Sequence, residues 1–238
     1  MTHPHGGAGN YTLLHKPGRN AGPAGGSNPP GSPSAWYDAT KITGVSDGGN
    51  MATWSDSSGN DWTMTASAND PVYRKTGVNL INGLPVVQFS TAISYTGLVS
   101  ALSLAQPFAG GLVFRGSSQT SACLIDSNTN EYCIIGTDGG DWAYYPGGGW
   151  STDGAADSSV HMFTFVINGS SSLLRKDGAS AITGGSGTTT MAAVSLGFQI
   201  GGVNGLSGVM GEVVLYSGTA TTAFLESLES YFAAKWGT

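Results

Sequence analysis

The feature that most constrains the fold is the C-terminal stretch, where a strand pattern is followed directly by the one convincing helix pattern of the chain. Residues 208–216 predict a strand with two faces. One face is predicted to carry Val209, Gly211, Val213 and Leu215, and the other to carry Met210, Glu212, Val214 and Tyr216. Residues 221–237 predict a helix, because their apolar residues recur at helical spacing. These residues are Phe224, Leu225, Leu228, Tyr231, Phe232 and Trp236.

The sequence also predicts where this helix begins and ends. Thr221 or Thr222 can act as the N-cap, because a hydroxyl oxygen accepts a hydrogen bond from a free backbone N–H of the first turn. Gly237 suits the left-handed position just after the last turn. Since an apolar stripe must lie against another element, we expect the helix to pack on a sheet that includes residues 208–216.

The composition favours short strands joined by tight turns over further helices. The chain has 238 residues, of which 38 are glycine and only 10% are charged. Glycine weakens helices and allows the backbone conformations that tight turns need. A chain of this length can form one large all-β domain. The net charge of −6 argues against nucleic acid as a partner.

Strand patterns recur at short intervals with no helical pattern between them. The strongest of them cover residues 108–115, 122–126, 131–136, 142–145, 161–168, 172–176 and 194–200. Asp177 and Gly178 are typical of a hairpin turn. Strands in this arrangement predict an all-β fold, an antiparallel sandwich of jelly-roll type.

Several short motifs follow one another in a recognisable order. They are Trp36-Tyr37-Asp38-Ala39, residues 54–60 with the pattern Trp-x-Asp-x-Ser-Gly-Asn, residues 82–89, Gly211-Glu212-Val213-Val214-Leu215-Tyr216 and Lys235-Trp236-Gly237. In this order residues 35–238 resemble the concanavalin A-like, laminin-G-type jelly-roll domains. The resemblance implies a β-sandwich with one C-terminal helix. Domains of that superfamily bind sugars or proteins, cleave glycans or are structural, so the fold alone leaves the activity open.

The motif residues themselves are predicted to be structural. We expect the aromatic side chains of Trp36, Trp54 and Phe89 to lie in the core. The carboxylates of Asp38, Asp56 and Glu212 are expected to accept hydrogen bonds from backbone donors or in turns, because a buried carboxylate persists only when it is hydrogen-bonded.

A search for catalytic groups finds no complete set. Glycosidases with this fold commonly carry Glu-x-Asp-x-x-Glu on one strand, and that motif is absent. Residues 44–48 match the G-x-S-x-G pattern, but no strand precedes them and no helix follows. His161 is the single histidine of the body and is interpreted as a strand-edge residue. We therefore predict a protein that is not an enzyme, without catalytic residues.

Metal and disulfide chemistry give weaker signals. We predict no cofactor and no resident metal, although the laminin-G resemblance leaves calcium open at the acidic residues of a glycine-rich segment. These are Asp138, Asp141, Asp153 and Asp157. Cys123 and Cys133 flank a predicted hairpin, so a disulfide between them is open in an oxidising medium.

The best candidate binding site is residues 138–153, where aromatic and acidic residues alternate with glycine. Sugars present apolar C–H faces and hydroxyl groups, so a sugar site combines aromatic rings with carboxylates. The predicted contacts are Asp141, Tyr145, Trp150 and Asp153. The alternative is that Trp142 and Tyr144 point into the core as ordinary strand residues.

Residues 1–34 are predicted to form an extended N-terminal arm, separate from the body of residues 35–238. The arm holds six of the ten prolines and eight glycines, and such a segment cannot bury enough apolar surface to order alone. We expect it to contact other subunits of an assembly. No apolar run follows Met1, so we expect no signal peptide and no membrane insertion.

Together these features favour a non-enzymatic bacteriophage virion protein, either a minor tail protein or a capsid decoration protein. It would be assembled in the host cytoplasm in several copies, as a homo-oligomer or multi-copy component. The arm would hold it to other virion subunits, and the lectin-like body would bind host-surface glycan. The alternatives are a glycan hydrolase or lyase, with Glu131 or Asp141 as the acid, and a secreted bacterial adhesin module.

Overall fold

The computed structural model describes residues 28–67, 69–91, 96–117, 119–127, 134–145, 149, 151–185, 187, 190–199 and 204–238. In these residues, two β-sheets pack face to face, and one α-helix covers the outer face of the first sheet. Every pairing between the strands is antiparallel. The predicted antiparallel β-sandwich with a C-terminal helix is therefore confirmed. Residues 1–27 of the predicted arm lie outside the described residues.

Among the described residues, each sheet has eight strands. Sheet A contains β1 (Ala35–Asp38), β4 (Val72–Arg74), β5 (Val86–Phe89), β7 (Phe108–Gly116), β12 (Val160–Ile167), β13 (Leu173–Lys176), β14 (Ala179–Thr183) and β16 (Gly208–Ser217). Its order is β14-β13-β12-β7-β16-β5-β4, and β1 also pairs with β16. Sheet B contains, in order, β11 (Ser151–Ala155), β10 (Asp141–Tyr144), β9 (Ile135–Asp138), β8 (Ala122–Ser127), β15 (Val194–Leu196), β6 (Leu98–Ser100), β3 (Met64–Ala66) and β2 (Thr53–Trp54).

Sheet A is buried on both faces, which explains why its central strands read as nearly continuous apolar runs. In β12, Phe163 and Phe165 face sheet B. Met162 of the same strand faces the helix, α1 (Thr222–Trp236), instead. The chain therefore forms three layers: the helix, sheet A and sheet B.

The helix begins and ends as the sequence predicted. Thr221 is the N-cap, and its hydroxyl accepts a hydrogen bond from the N–H of Phe224. Gly237 takes the left-handed conformation after the last turn. The helix lies close to sheet A because a side chain is absent where the two meet. A Cβ at Gly211 would lie 2.6 Å from the ring of Trp236.

The two predicted faces of β16 are wrong in its first half. The pairing with β7 shifts between Met210 and Glu212, which is a β-bulge. Because the bulge inserts one residue, the alternation changes phase there. Val209 therefore faces the helix together with Val214, whereas Met210 joins Val213 in the core between the sheets.

The predicted strand at residues 194–200 is also too long, because β15 ends at Leu196. Gly197 has a φ of 82°, outside the strand region, and a Cβ there would clash with the ring of Phe89. Phe198 then lies directly on Gly97. The apolar alternation of the sequence continues past the point where glycine turns the chain.

Glu212 fixes the helix to sheet A. Its carboxylate is fully buried and accepts hydrogen bonds from the indole N–H groups of Trp36 and Trp236, both at 2.6 Å, and from the Tyr231 hydroxyl at 2.6 Å. The Lys235 ammonium lies 2.8 Å from Glu212. Burial raises the pKa of Glu212, and Lys235 opposes that rise. The predicted backbone partners of Glu212 are replaced by side-chain donors.

The other motif residues are structural, as predicted. Trp36, Trp54 and Phe89 are buried. Asp56 accepts hydrogen bonds from three backbone N–H groups, those of Trp36, Ser58 and Trp62. Asp38 caps the short 3-10 helix Ala39–Lys41 and also binds the Lys235 ammonium at 2.7 Å.

A second buried carboxylate, Glu229, ties the helix to β12 and β13 of sheet A. Arg175 donates to both of its oxygens, at 2.6 and 3.0 Å, and Thr164 donates to one of them at 2.6 Å. A two-point pair of this kind fixes orientation as well as distance. Arg175 also donates to the carbonyl of Gly178 in the β13–β14 turn.

Residues 28–34, the described end of the predicted arm, lie on the body. The Tyr216 hydroxyl donates to the carbonyl of Pro30 at 2.8 Å. Ser34 forms two hydrogen bonds with the end of β16. Its N–H donates to the carbonyl of Leu215, and its hydroxyl accepts from the N–H of Ser217. This contact shows only that the last part of the arm is attached to its own subunit.

Cys123 is disulfide-bonded. The other cysteine of the chain, Cys133, lies outside the described residues. No helix in the described part of the chain is both long and apolar enough to cross a membrane.

We expect Glu212→Gln to lower the free energy of unfolding by about 3 kcal/mol, because the amide leaves buried donors without an acceptor at nearly unchanged volume. Chemical denaturation measures the change. Glu226→Gln is the matched control, since the Glu226 side chain is 59% exposed and lies 3.9 Å from Arg175. The control should change stability by less than about 0.5 kcal/mol. Equal effects of the two substitutions would contradict the role assigned to Glu212.

We also expect two N-terminal truncations to differ in their free energy of unfolding. Removing residues 1–27 leaves the contacts of Pro30 and Ser34 intact, whereas removing residues 1–34 deletes them. The chain that begins at residue 35 should remain folded, but its free energy of unfolding should be about 1–3 kcal/mol lower than that of the chain that begins at residue 28. Thermal and urea unfolding of both proteins test this. If the two truncated chains are equally stable, the contacts of residues 28–34 contribute nothing.

Candidate functional site

The predicted sugar site lies in the hairpin formed by β10 and β11, at the β11 edge of sheet B. Trp142 and Tyr144 of β10 are buried. Trp142 packs edge-on against Phe114, and the Tyr144 hydroxyl donates to the carbonyl of Val166 at 2.8 Å. These two side chains therefore anchor the hairpin in the core.

The four predicted contact residues occupy different positions in this hairpin. Asp141 is half-buried at the start of β10 and lies opposite Asp138 of β9. Tyr145 follows β10 directly, is half-buried, and donates its N–H to the carbonyl of Ile134. Asp153 lies in β11. Trp150 lies outside the described residues.

The register separates Asp153 from Asp141. Asp153 lies opposite Trp142, so both side chains are on the face that looks toward sheet A. There Asp153 forms an ion pair with Lys176 of β13, at 2.9 Å. Asp141, one residue before Trp142, is on the outer face of sheet B, and Tyr145 continues the same alternation. The structure therefore places Asp141 and Tyr145 on the outer face of sheet B. Asp153 lies on the inner face and joins the two sheets through its ion pair with Lys176.

Asp138 and Asp141 form a pair of carboxylates at the β9–β10 turn. They oppose each other in the antiparallel register, across a turn made of Gly139 and Gly140. Both glycines have a positive φ, of 61° and 93°, which this tight turn requires. Directly opposed like charges destabilise a hairpin, so this pair is not explained by stability.

The sequence analysis missed an ionic cluster beside the hairpin. His161 is 7% exposed, and its two ring nitrogens contact two carboxylates. Nδ1 lies 2.7 Å from Asp177 and Nε2 lies 3.0 Å from Asp157. The ring also packs edge-on against Trp142, with 5.3 Å between the ring centroids. The sequence places Asp157 four residues before His161 and Asp177 in a predicted hairpin turn. It does not show that either carboxylate meets the histidine.

This geometry favours the protonated imidazolium form of His161. A neutral imidazole carries one N–H, whereas both nitrogens here face carboxylates, so both bonds need a donor. The hydrogen bond to Asp177 is the main cause that raises the pKa of His161 above its ordinary value, and Asp157 adds to it. The hydrogen bond from the Ser159 N–H is the main cause that lowers the pKa of Asp157, and His161 lowers it further. The cluster thus holds the loop after β11 and the β13–β14 turn against β12.

Among the described residues, no group of three or more His, Cys, Asp or Glu side chains is placed to hold a metal ion. The acidic residues considered for calcium are divided between separate contacts. Asp153 pairs with Lys176, and Asp157 pairs with His161. The prediction of no resident metal, with calcium left open, stays a prediction.

Comparison with solved structures shows the β-sandwich fold in several proteins. Domain 4 of AbnA, a GH43 extracellular arabinanase from Geobacillus stearothermophilus, was solved with arabinotriose; it has a TM-score of 0.56 and 13% identity over 83% of this chain and 98% of that chain. An arabinofuranosidase complexed with arabinofuranosyl-alpha-1,2-xylobiose has a TM-score of 0.57 and 16% identity over 78% of this chain and 51% of that one.

Botulinum neurotoxin type C, whose cell entry is dependent upon interaction with two ganglioside molecules, has a TM-score of 0.55 and 10% identity over 86% of this chain and 52% of that one. This chain thus spans about half the length of the arabinofuranosidase and neurotoxin chains. No family model and no curated protein matches the sequence. At these identities the likeness shows a shared fold.

These comparisons overturn the prediction that the protein is not an enzyme. The fold is shared with domain 4 of an arabinanase and with about half of an arabinofuranosidase chain. The absent Glu-x-Asp-x-x-Glu motif excludes only one arrangement of catalytic groups, because other pairs of carboxylates also cleave glycosidic bonds. The prediction relied on a motif on one strand and did not consider carboxylates that the fold brings together from two strands.

We expect the free energy of unfolding to fall as the pH rises through the folded-state pKa of His161. Folding raises this pKa above the unfolded value of about 6.5, so the contribution is fully present below that pH and is lost at higher pH. Urea unfolding at a series of pH values measures the profile. His161→Gln is the control and should flatten the profile in this range. A wild-type protein that gains stability between about pH 6.5 and pH 9 would contradict the imidazolium assignment.

Proposed function

We propose that the protein is a carbohydrate-binding β-sandwich domain and that the β10–β11 hairpin contacts the sugar. The observation that carries this proposal is the division of the hairpin into an anchored face and an outer face. Trp142 and Tyr144 are buried in the core, and the alternation leaves Asp141 and Tyr145 on the opposite face. The outer face therefore carries a half-buried carboxylate and a half-buried aromatic ring, one on each side of the buried Ala143.

The chemistry of these two groups suits a sugar. A carboxylate accepts hydrogen bonds from sugar hydroxyls, and an aromatic ring packs against the C–H face of a pyranose or furanose. Asp141 and Tyr145 are four residues apart along one strand, or roughly 13 Å. A ligand that contacts both must be an oligosaccharide. Because the strand is already held by the core, little ordering of the protein is required on binding.

The comparisons with solved structures also favour a sugar as the ligand. The arabinanase domain and the arabinofuranosidase were solved with arabinose-containing oligosaccharides, and the neurotoxin interacts with gangliosides. We take an arabino-oligosaccharide as the first ligand to test, and a ganglioside oligosaccharide as the second.

A second candidate function is cleavage of a bound glycan. The observation that favours it is the opposed pair of Asp138 and Asp141, which supplies on one face the two carboxylates that an acid and base mechanism needs. Release of reducing ends from arabinan, compared between the wild type and Asp138→Asn, tests it. Absence of products from a panel of plant and bacterial glycans would remove this candidate and leave binding unaffected.

The bacteriophage setting remains a prediction from the sequence. It includes attachment of the arm to other virion subunits, a multi-copy assembly, and location in the virion. In that setting, weak binding of each copy to host-surface glycan would be strengthened by avidity. Electron microscopy of the native assembly would test this setting.

We expect Asp141→Asn to weaken binding of arabinotriose or the ganglioside oligosaccharide by about tenfold, because the amide accepts fewer hydroxyl bonds and carries no charge. Isothermal titration calorimetry measures the affinity. Asp70→Asn is the matched control, since Asp70 is also half-buried but precedes β4, at the far edge of the sandwich. The control should bind as the wild type does. Equal affinities of the wild type and Asp141→Asn would contradict the placement of the site.

A further inference from the structure

Two clefts lie on either side of the loop formed by residues 55–60, far from the β10–β11 hairpin. The first has a volume of about 160 Å³ and is bordered by β2 and the 3-10 helix. The second has a volume of about 290 Å³ and is bordered by residues 28–33. Ser57 lines both of them. Both volumes lie below the usual range of small-molecule sites, so each cleft suits one sugar unit.

The loop between the clefts is rigid. Asp56 accepts hydrogen bonds from the backbone N–H groups of Trp36, Ser58 and Trp62. Asn60 donates to the carbonyls of Pro33 and Ser34, which fixes the wall of the second cleft. A site held in this way needs little reorganisation when a ligand enters.

Residues with hydroxyl groups are the largest set lining the first cleft. They are Thr43, Thr53, Ser55 and Ser57, and the other five lining residues are Asp38, Lys41, Ile42, Val45 and Trp54. Hydroxyls both donate and accept, so such a wall matches a ligand that is itself rich in hydroxyl groups. The wall also includes Trp54, whose buried indole N–H has no hydrogen-bond partner within the described residues. A buried donor without a partner costs stability unless another group satisfies it.

The charged groups around the first cleft have no excess of positive charge. Asp38 and the nearby Glu212 both contact the Lys235 ammonium, at 2.7 and 2.8 Å. The second positive charge is Lys41, whose ammonium lies 3.8 Å from the centre of the Trp36 ring. Among the ion pairs of the described residues, none includes Lys41. With the Asp56 carboxylate of the neighbouring loop, the region holds three carboxylates and two ammonium groups, so no excess positive charge attracts an anion, while Lys41 keeps donors for a neutral acceptor.

We infer that the two clefts beside residues 55–60 form a second binding site, which takes a neutral oligosaccharide. This inference rests on the proposed carbohydrate-binding function and adds a site at a different edge of the molecule. Lys41 and the hydroxyls of the first cleft bind one sugar unit. The chain of the ligand passes Ser57 and places its next unit in the second cleft.

The test is a titration of the full-length protein with arabinotriose as the neutral probe and digalacturonate as the anionic probe, followed by backbone amide NMR. We expect arabinotriose to shift the amide signals of Ser55 and Ser57, and digalacturonate to shift them less. Lys41→Met should weaken this binding by about tenfold. Lys75→Met is the matched control, because Lys75 is exposed and lies outside both clefts.

The outcomes separate this inference from the proposed hairpin site. Shifts confined to Asp141 and Tyr145 would overturn the second site and leave the proposed function standing. Shifts confined to residues 55–60 would support the second site and contradict the hairpin. Stronger binding of digalacturonate, or equal effects of Lys41→Met and Lys75→Met, would overturn the assignment of a neutral ligand held by Lys41.

Discussion

The structure depends first on a carboxylate that is buried where the helix meets sheet A. Glu212 accepts two indole N–H groups and a tyrosine hydroxyl and contacts the ammonium of Lys235. A buried carboxylate is tolerated only when its oxygens are saturated in this way. The donors come from β1 and from the last turns of the helix. Helix, first strand and last strand must therefore be in place together before the charge is satisfied, which links the two ends of residues 35–238.

The same requirement explains where this chain, which has few charged residues, places them. Glu229 is paired with Arg175, Asp153 with Lys176, and His161 with Asp157 and Asp177. These groups fasten one element to another. The groups proposed to bind ligands lie apart from these ion pairs: the opposed pair at the β9–β10 turn, the outer face of the hairpin, and the first cleft.

The sequence predicted the sandwich, the helix and both helix caps because these follow from periodicity and from residues with one strong preference, such as Gly237. It could not predict the bulge before Glu212 or the end of β15 at Leu196. Both depend on contacts from distant parts of the chain: Trp236 at Gly211, and Phe89 at Gly197. The contacts of His161 and the cleft around residues 55–60 were missed for the same reason, since their members are brought together only by the fold.

The positions of the two proposed sites limit how a glycan could engage both. The hairpin is formed by β10 and β11 at one edge of sheet B, and the first cleft is bordered by β2 at the other edge. Across eight strands the distance is roughly 30 Å. A short oligosaccharide cannot reach both sites, whereas a polysaccharide or a surface that displays many glycans can. Two weak sites on one rigid sheet would then act as a bivalent unit, in which binding at one edge raises the effective ligand concentration at the other.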